Sequence, residues 1–214
     1  MREQVNGAGS QAERAYLALR DRIVALELTP GSPVREDVLT AELDVGRTPF
    51  REAVKRLERE SMIAIYPRRG SFVTEVNITD HGLIADVRLQ LEGHGARRAA
   101  ERSTAAERAE LAELRALVDR SGNARAPVMD LDARVHRTLY RCTHNPYLRA
   151  MLDEHYNLAL RIWCLFFERL SDVSEHVAEH SALLDAVVQG DAGKADRLAV
   201  AHVRHFEAAI RAAL

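Results

Sequence analysis

The apolar pattern of this chain leaves helical spacing once, and that departure constrains the fold more than any other feature. Between Ile63 and Val76 the runs Ile63-Ala64-Ile65-Tyr66-Pro67 and Ser71-Phe72-Val73-Thr74-Glu75-Val76 alternate around a basic, glycine-bearing tip, Arg68-Arg69-Gly70, which predicts a β-hairpin. The long stretches on either side carry amphipathic helical patterns. The 33 alanines favour that state, because alanine loses no side-chain entropy on ordering. The predicted fold class is mainly α: an N-terminal winged helix-turn-helix followed by an all-helical antiparallel bundle.

Residues 1–9 are polar and glycine-containing and are expected to be a disordered tail. Ser10 can cap a helix running to about Leu26, with Ala15, Leu19, Ile23 and Leu26 on one stripe. Leu28-Thr29-Pro30-Gly31-Ser32-Pro33 breaks it. A short helix, about Arg35 to Leu43, then meets Asp44-Val45-Gly46 and a second helix from Arg47 or Thr48 to about Glu60, the spacing of a helix-turn-helix. With the hairpin as wing, residues 10–76 form the expected head, 77–80 a linker, and 81–214 a helical domain. Breaks near Ser103-Thr104, Ser121-Gly122-Asn123, Asn145-Pro146, Ser171-Asp172 and Gly190-Asp191 divide that domain into about six helices. Cys142 and Cys164 each lie in an apolar helical stretch, which suits reduced thiols. No run approaches the roughly 18 apolar residues of a membrane span, so the expected location is cytoplasmic.

Thirty Lys and Arg against thirty-two Asp and Glu give a net charge of −2, which excludes a nucleic-acid binder held by bulk positive charge. Divided at residue 76, the head has 12 basic and 12 acidic residues and the remainder 18 and 20. Placement tells more. Residues 47–70 hold seven basic residues against Glu52, Glu58 and Glu60, a local surplus of +4. At about 100° per residue, Phe50, Ala53, Val54 and Leu57 share a packing arc, while Arg47, Arg51 and Lys55 face away from it. An outward Arg on a helix in the major groove can donate a bidentate pair to guanine. Arg47 and Arg51 are therefore candidates for base contact, and Thr48 and Lys55 for contact at the same face. Arg68, Arg69 and Gly70 place a second basic contact at the wing tip.

Ionisable side chains on an apolar stripe are costly unless paired or bound to metal. Asp132 and His136 share a face with Val135 and Leu139. His180 lies among Val177, Leu183, Leu184 and Val187, and His202 between Leu198 and Phe206. Three imidazoles and a carboxylate form a borderline ligand set suited to Zn, Ni or Mn. His205 lies one turn from His202 and is a candidate for a supporting or core role. His176-Val177-Ala178-Glu179-His180 also fits a zinc-hydrolase pattern, in which two His bind zinc and Glu acts as general base, but only 34 residues follow it, with no obvious further glutamate-bearing ligand segment. The alternative from another class is a metal-dependent hydrolase using the Asp/His set, with the head as an oligomerisation module.

The run from Leu28-Thr29-Pro30-Gly31 through Glu36, Leu43-Asp44-Val45-Gly46-Arg47-Thr48-Pro49-Phe50-Arg51-Glu52-Ala53-Val54, Leu57-Glu58 and Pro67-Arg68-Arg69-Gly70 resembles the N-terminal domain of GntR-family transcriptional regulators. Asp44 and Gly46 stand where that family usually has Gly and Ser. Asp tolerates a left-handed backbone and Gly can cap a helix. The segments 86–92, 132–139, 179–191 and 201–203 are similar to the FCD ligand-binding domain of the FadR branch. The resemblance implies a non-enzymatic, ligand-responsive regulator, expected to be a repressor and a homodimer on pseudo-palindromic operator DNA. It also implies a divalent metal on Asp132, His136, His180 and His202, and a small carboxylate effector whose charge Arg88 or Arg161 would neutralise.

Overall fold

The computed structural model describes residues 9–77, 79–120, 125–170 and 173–213, without the side chains of 125–127 and 173–175. The expected breaks at Ser121-Gly122-Asn123 and Ser171-Asp172, and residues 1–8 of the expected tail, lie outside the described residues. The described elements are α1 (Gln11–Val24), α2 (Glu36–Leu43), α3 (Arg47–Arg59), β1 (Ile63–Tyr66), β2 (Gly70–Val73), α4 (Thr79–Arg102), α5 (Ala105–Val118), α6 (Arg125–Arg141), α7 (Pro146–Phe166) with a 3-10 turn at Phe167–Arg169, α8 (Val173–Gln189) and α9 (Ala192–Ala212). They form two compact units, Met1–Ile78 with Leu160–Leu165, and Thr79–Ala159 with Phe166–Leu214.

In the first unit, Ser10 caps α1 by accepting from the Glu13 N–H at 3.2 Å. The helix ends at Val24, short of the expected Leu26, because Leu26 takes a left-handed backbone (φ +62°) that turns the chain. Asp44 closes α2 in the same conformation, φ +50° and ψ 55°, as its short polar side chain permits. The Arg14 guanidinium donates to the Leu43 and Asp44 carbonyls at 3.3 and 3.4 Å, satisfying acceptors that α2 leaves unpaired. Gly46 caps α3 without a side chain, and its own N–H donates to Gln11 Oε1 at 3.2 Å. Phe50, Ala53, Val54 and Leu57 are buried where α3 packs against α1, so the predicted packing arc is the observed one.

The hairpin pairs Ile63 with Val73, Ala64 with Phe72, Ile65 with Ser71 and Tyr66 with Gly70. Its second strand stops at Val73, before the expected Val76. Its partner begins only at Ile63, so residues 74–76 have no strand opposite them. The Thr74 N–H instead donates to the Met62 carbonyl at 3.0 Å and its hydroxyl to the Ser61 carbonyl at 2.9 Å. Arg68 (φ +63°) and Gly70 (φ +94°) reverse the chain at the tip.

In the second unit α5, α7 and α9 begin where the sequence places caps. Thr104 and Glu107 form a reciprocal capping box on α5. Asn145 accepts from the N–H groups of Tyr147 and Leu148 at the start of α7. Asp191 accepts from Lys194 at the start of α9. Helix α4 begins at Thr79, inside the segment expected as linker. It packs along α9, α5 along α8, and α8 along α9. Gly93 lets α4 approach α9 closely: a Cβ there would lie 2.8 Å from Val200 Cγ2. Val135, Leu139, Leu184, Val187, Ala199, Val203 and Phe206 are buried in this unit, as is the free thiol Cys142; the free thiol Cys164 is buried and belongs to the first unit. Among the described residues no helix is long and apolar enough to cross a membrane.

Candidate functional site

Helix α3 presents Arg47, Thr48, Arg51 and Lys55 to solvent, and Arg68, Arg69 and Gly70 are exposed on the wing. Arg51 is held in a fork by Glu36 at the start of α2, with Nε to Oε2 and Nη2 to Oε1 both at 2.9 Å. That carboxylate fixes the direction of a long side chain that otherwise samples many rotamers. Arg69 lies near the Tyr66 ring, 5.9 Å from its centroid. Arg56, one of the seven basic residues in the local surplus, is turned inward. It sits 3.4 Å from the centroid of the Tyr16 ring and pairs with Glu13 at 2.9 Å and Glu60 at 3.2 Å. Its charge supports the packing of α3 on α1.

In the second unit Asp132 and His136 on α6, His180 on α8 and His202 on α9 converge. Each offers a ligand atom, all lie within 4.8 Å of one another, and all four residues are buried. Asp132 Oδ1 is 2.8 Å from His180 Nε2 and 3.9 Å from His136 Nε2, while Oδ2 accepts from the Tyr156 hydroxyl at 2.7 Å. The Tyr140 hydroxyl lies 3.0 Å from His136 Nδ1 and donates to Glu92 Oε1 at 2.6 Å. His202 Nδ1 is 2.8 Å from Glu179 Oε2, which leaves Nε2 for the cluster. Each imidazole that coordinates a metal ordinarily needs such an outer partner to fix its tautomer and orientation.

The electrostatics favour Asp132 and His202 in their metal-binding protonation states. Burial alone would raise the Asp132 carboxyl, but His136, and then His180 by hydrogen bond and charge, hold it well below the ordinary carboxylate range. Burial, reinforced by His176, His180, His136 and Arg88, pushes His202 well below the ordinary imidazole value. Burial raises the Tyr156 and Tyr140 phenols, with Asp132 and Glu92 adding to it, so both remain donors. His180 Nδ1 is buried with no hydrogen-bond partner among the described residues. As a packed core, rings gathered around one carboxylate with an orphaned nitrogen are expensive. As a ligand set for a divalent ion they fit.

Arg88 is buried and forms an ion pair with Glu92 at 2.6 Å. Its guanidinium lies 5.8 Å from the centroid of the Tyr156 ring, which places it behind the cluster's supporting shell. Arg161 falls in the first unit, where it donates to Thr74 Oγ1 at 2.8 Å. Sequence reasoning did not single out Glu92, Tyr140 or Tyr156, and it took Glu179 only as the glutamate of the 176–180 hydrolase pattern, not as a partner of His202. Tyr140 continues the Asp132-His136 stripe by one turn, a legible signal; Tyr156 and Glu92 come from other helices and carry no local one.

Residues 83–205 match the FCD domain, and residues 11–73 match the bacterial regulatory proteins of the gntR family. The chain belongs to the GntR family. It is 30% identical to an HTH-type transcriptional regulator in an unstable DNA locus of Streptomyces ambofaciens, over 94% of this chain and 85% of that one. It is 23% identical to the HTH-type transcriptional repressor RspR of Escherichia coli, over 97% and 92%. It is 27% identical to the galactonate operon transcriptional repressor of the same species, over 89% and 93%. In fold it is similar to E. coli McbR/YncC, with a TM-score of 0.82 at 20% identity, covering 96% of this chain and 99% of that one. This GntR-family regulator thus has its basic α3 face inside the DNA-binding match and the Asp/His cluster inside the FCD match.

Proposed function

We propose that this regulator is a repressor whose helical domain binds a divalent metal, Zn, Ni or Mn, through Asp132, His136, His180 and His202. The metal supplies a Lewis-acidic centre for a small organic acid, and the nearby positive charge of Arg88 favours the same anion. The observation that carries the reading is the burial of four convergent ligand groups, three of which, Asp132, His136 and His202, have an outer hydrogen bond that leaves another atom facing the cluster. Two copies of the head, arranged as a homodimer, read a pseudo-palindromic operator in cytoplasmic DNA. Arg47 and Arg51 read base edges, Thr48 and Lys55 contact the backbone, and Arg68, Arg69 and Gly70 anchor the wing. Effector binding then shifts the population between DNA-binding and non-binding states through its differential affinity for them. The two named repressors among the relatives favour repression.

The test combines binding and composition. Fluorescence anisotropy on the DNA upstream of the protein's own gene is measured with metal-loaded protein, with and without a panel of small organic acids. Elemental analysis follows metal content through the same preparation. The expected result is stoichiometric metal and an operator affinity that one acid changes. Absence of stoichiometric metal before and after reconstitution ends the ligand assignment. Affinity unchanged in an Arg47→Ala, Arg51→Ala double variant ends the recognition-helix assignment.

A further inference from the structure

The motif His176-Val177-Ala178-Glu179-His180 gives one member, His180, to the inner cluster and leaves His176 and Glu179 outside it. They are three residues apart on α8. His202 and His205 are three residues apart on α9, which packs against α8. Residues at this spacing share a helix face, so the two pairs meet across the helix boundary. His176, Glu179 and His202 each offer a ligand atom, and these lie within 4.8 Å of one another. The His176 and His202 rings stack at 4.1 Å and 23°. Glu179 joins the two layers: Oε2 is bonded to His202 Nδ1 at 2.8 Å, and Oε1 to His205 Nδ1. Exposure rises outward, from 5% for the His202 side chain to 26% for Glu179 and 65% for His205.

We propose that His176, Glu179 and His205 form a second, outer site for a divalent cation, separated from the inner centre by His202. Glu179 is the common member, with a ligand atom within 4.8 Å of one on His176 and in contact with His205, and the exposed His205 ring swings toward His176 to close the site. The proposal rests on the inner reading only in taking His202 as an inner ligand through Nε2. Its Nδ1–H then stays on Glu179 Oε2, and Oε1 is released from His205 to the outer ion. His205 Nδ1 coordinates as the neutral ring, with its proton on Nε2, where exposure lets water accept it. Two imidazoles and a carboxylate are a borderline set that suits zinc or nickel. Three protein ligands leave positions open to water or to an anionic ligand. The outer ion is bound more weakly and exchanges faster than the inner one, because two of its ligands are in contact with solvent.

Full-length protein stripped with a chelator is titrated with zinc, and bound ions per chain are counted by native mass spectrometry and elemental analysis. The expected result is two ions in the unmodified protein, one tight and one weaker, and only the tight ion in His176→Ala and in His205→Ala. His205 is exposed, so its removal leaves the fold intact, and an unchanged melting temperature verifies this. One ion in the unmodified protein, retained in His205→Ala and lost in Asp132→Asn, overturns the outer site and leaves the inner centre standing. Two ions at unchanged affinity in both outer variants overturn it as adventitious surface binding. No ion in the unmodified protein overturns both sites.

Discussion

Asp132 faces two imidazoles with one carboxylate oxygen and takes the Tyr156 hydroxyl on the other, so its orientation depends on a group two helices' packing has brought to it. Tyr156→Phe removes that donor and leaves Oδ2 without it. The expected loss is about 10–100-fold in zinc affinity, the cost of deleting an outer-shell partner, measured by competition with a chromophoric chelator. Arg88 and Glu92 make a second residue-scale test. Both are about 5% exposed, and removing one charge strands the other. Glu92→Gln is expected to destabilise the protein by about 3–5 kcal/mol, read from urea unfolding. The same substitution disturbs the Tyr140 link to His136 and thus also weakens metal binding.

At the scale of elements, α3 separates stability from recognition by face. Leu57 is fully buried, so Leu57→Ala is expected to cost about 2–5 kcal/mol of stability. Arg47→Ala lies on the exposed face, where substitutions stay within about 0.5 kcal/mol, yet it is expected to reduce base discrimination by about 1–3 kcal/mol. Melting curves and anisotropy on matched and mismatched operators separate the two effects. Lys55→Ala is expected to weaken binding to all sequences alike and to flatten its salt dependence. Glu36 belongs to this scale as well, because it joins α2 to α3 through Arg51. Glu36→Gln keeps a hydrogen-bond acceptor but removes the charge, freeing Arg51 to reach a phosphate or base.

At the scale of the whole molecule, the buried imidazoles set the response to pH. His202 is pushed well below its ordinary value, and burial takes His176 down to about 3 against the opposing pull of Asp132. The unfolded chain therefore binds more protons than the folded one once pH falls below the ordinary imidazole value of about 6.5. Stability is present above that pH and is lost on descending through it. Glu92 adds a lower window: burial would raise it, but Arg88 and His136 hold it at about 2 rather than 4.5. Its contribution is present above 4.5 and disappears toward 2. The metal-free melting temperature is expected to fall as pH drops below about 6.5, and again below 4.5, as followed by circular dichroism. Bound metal raises that temperature by mass action, with about 4 kcal/mol expected when free ion is 1,000 times its Kd. A chelator reverses the gain.

The sequence by itself determined the order and kind of the elements, because periodicity, caps and turn residues act within a few positions of one another. Ser10, Asp44, Thr104, Asn145 and Asp191 mark their helix ends in the chain and in the structure alike. It also placed Asp132, His136, His180 and His202 on apolar stripes, where an ionisable group needs a partner. Only the tertiary structure brought those stripes together, because α6, α8 and α9 meet through packing between residues up to 70 positions apart. The same long-range packing assigned Tyr156 to Asp132, drew Arg56 inward onto Tyr16, fixed Arg51 on Glu36 and tied Arg161 to Thr74. Local periodicity predicts which way a side chain leaves its helix; the partner it meets is set by how the helices pack.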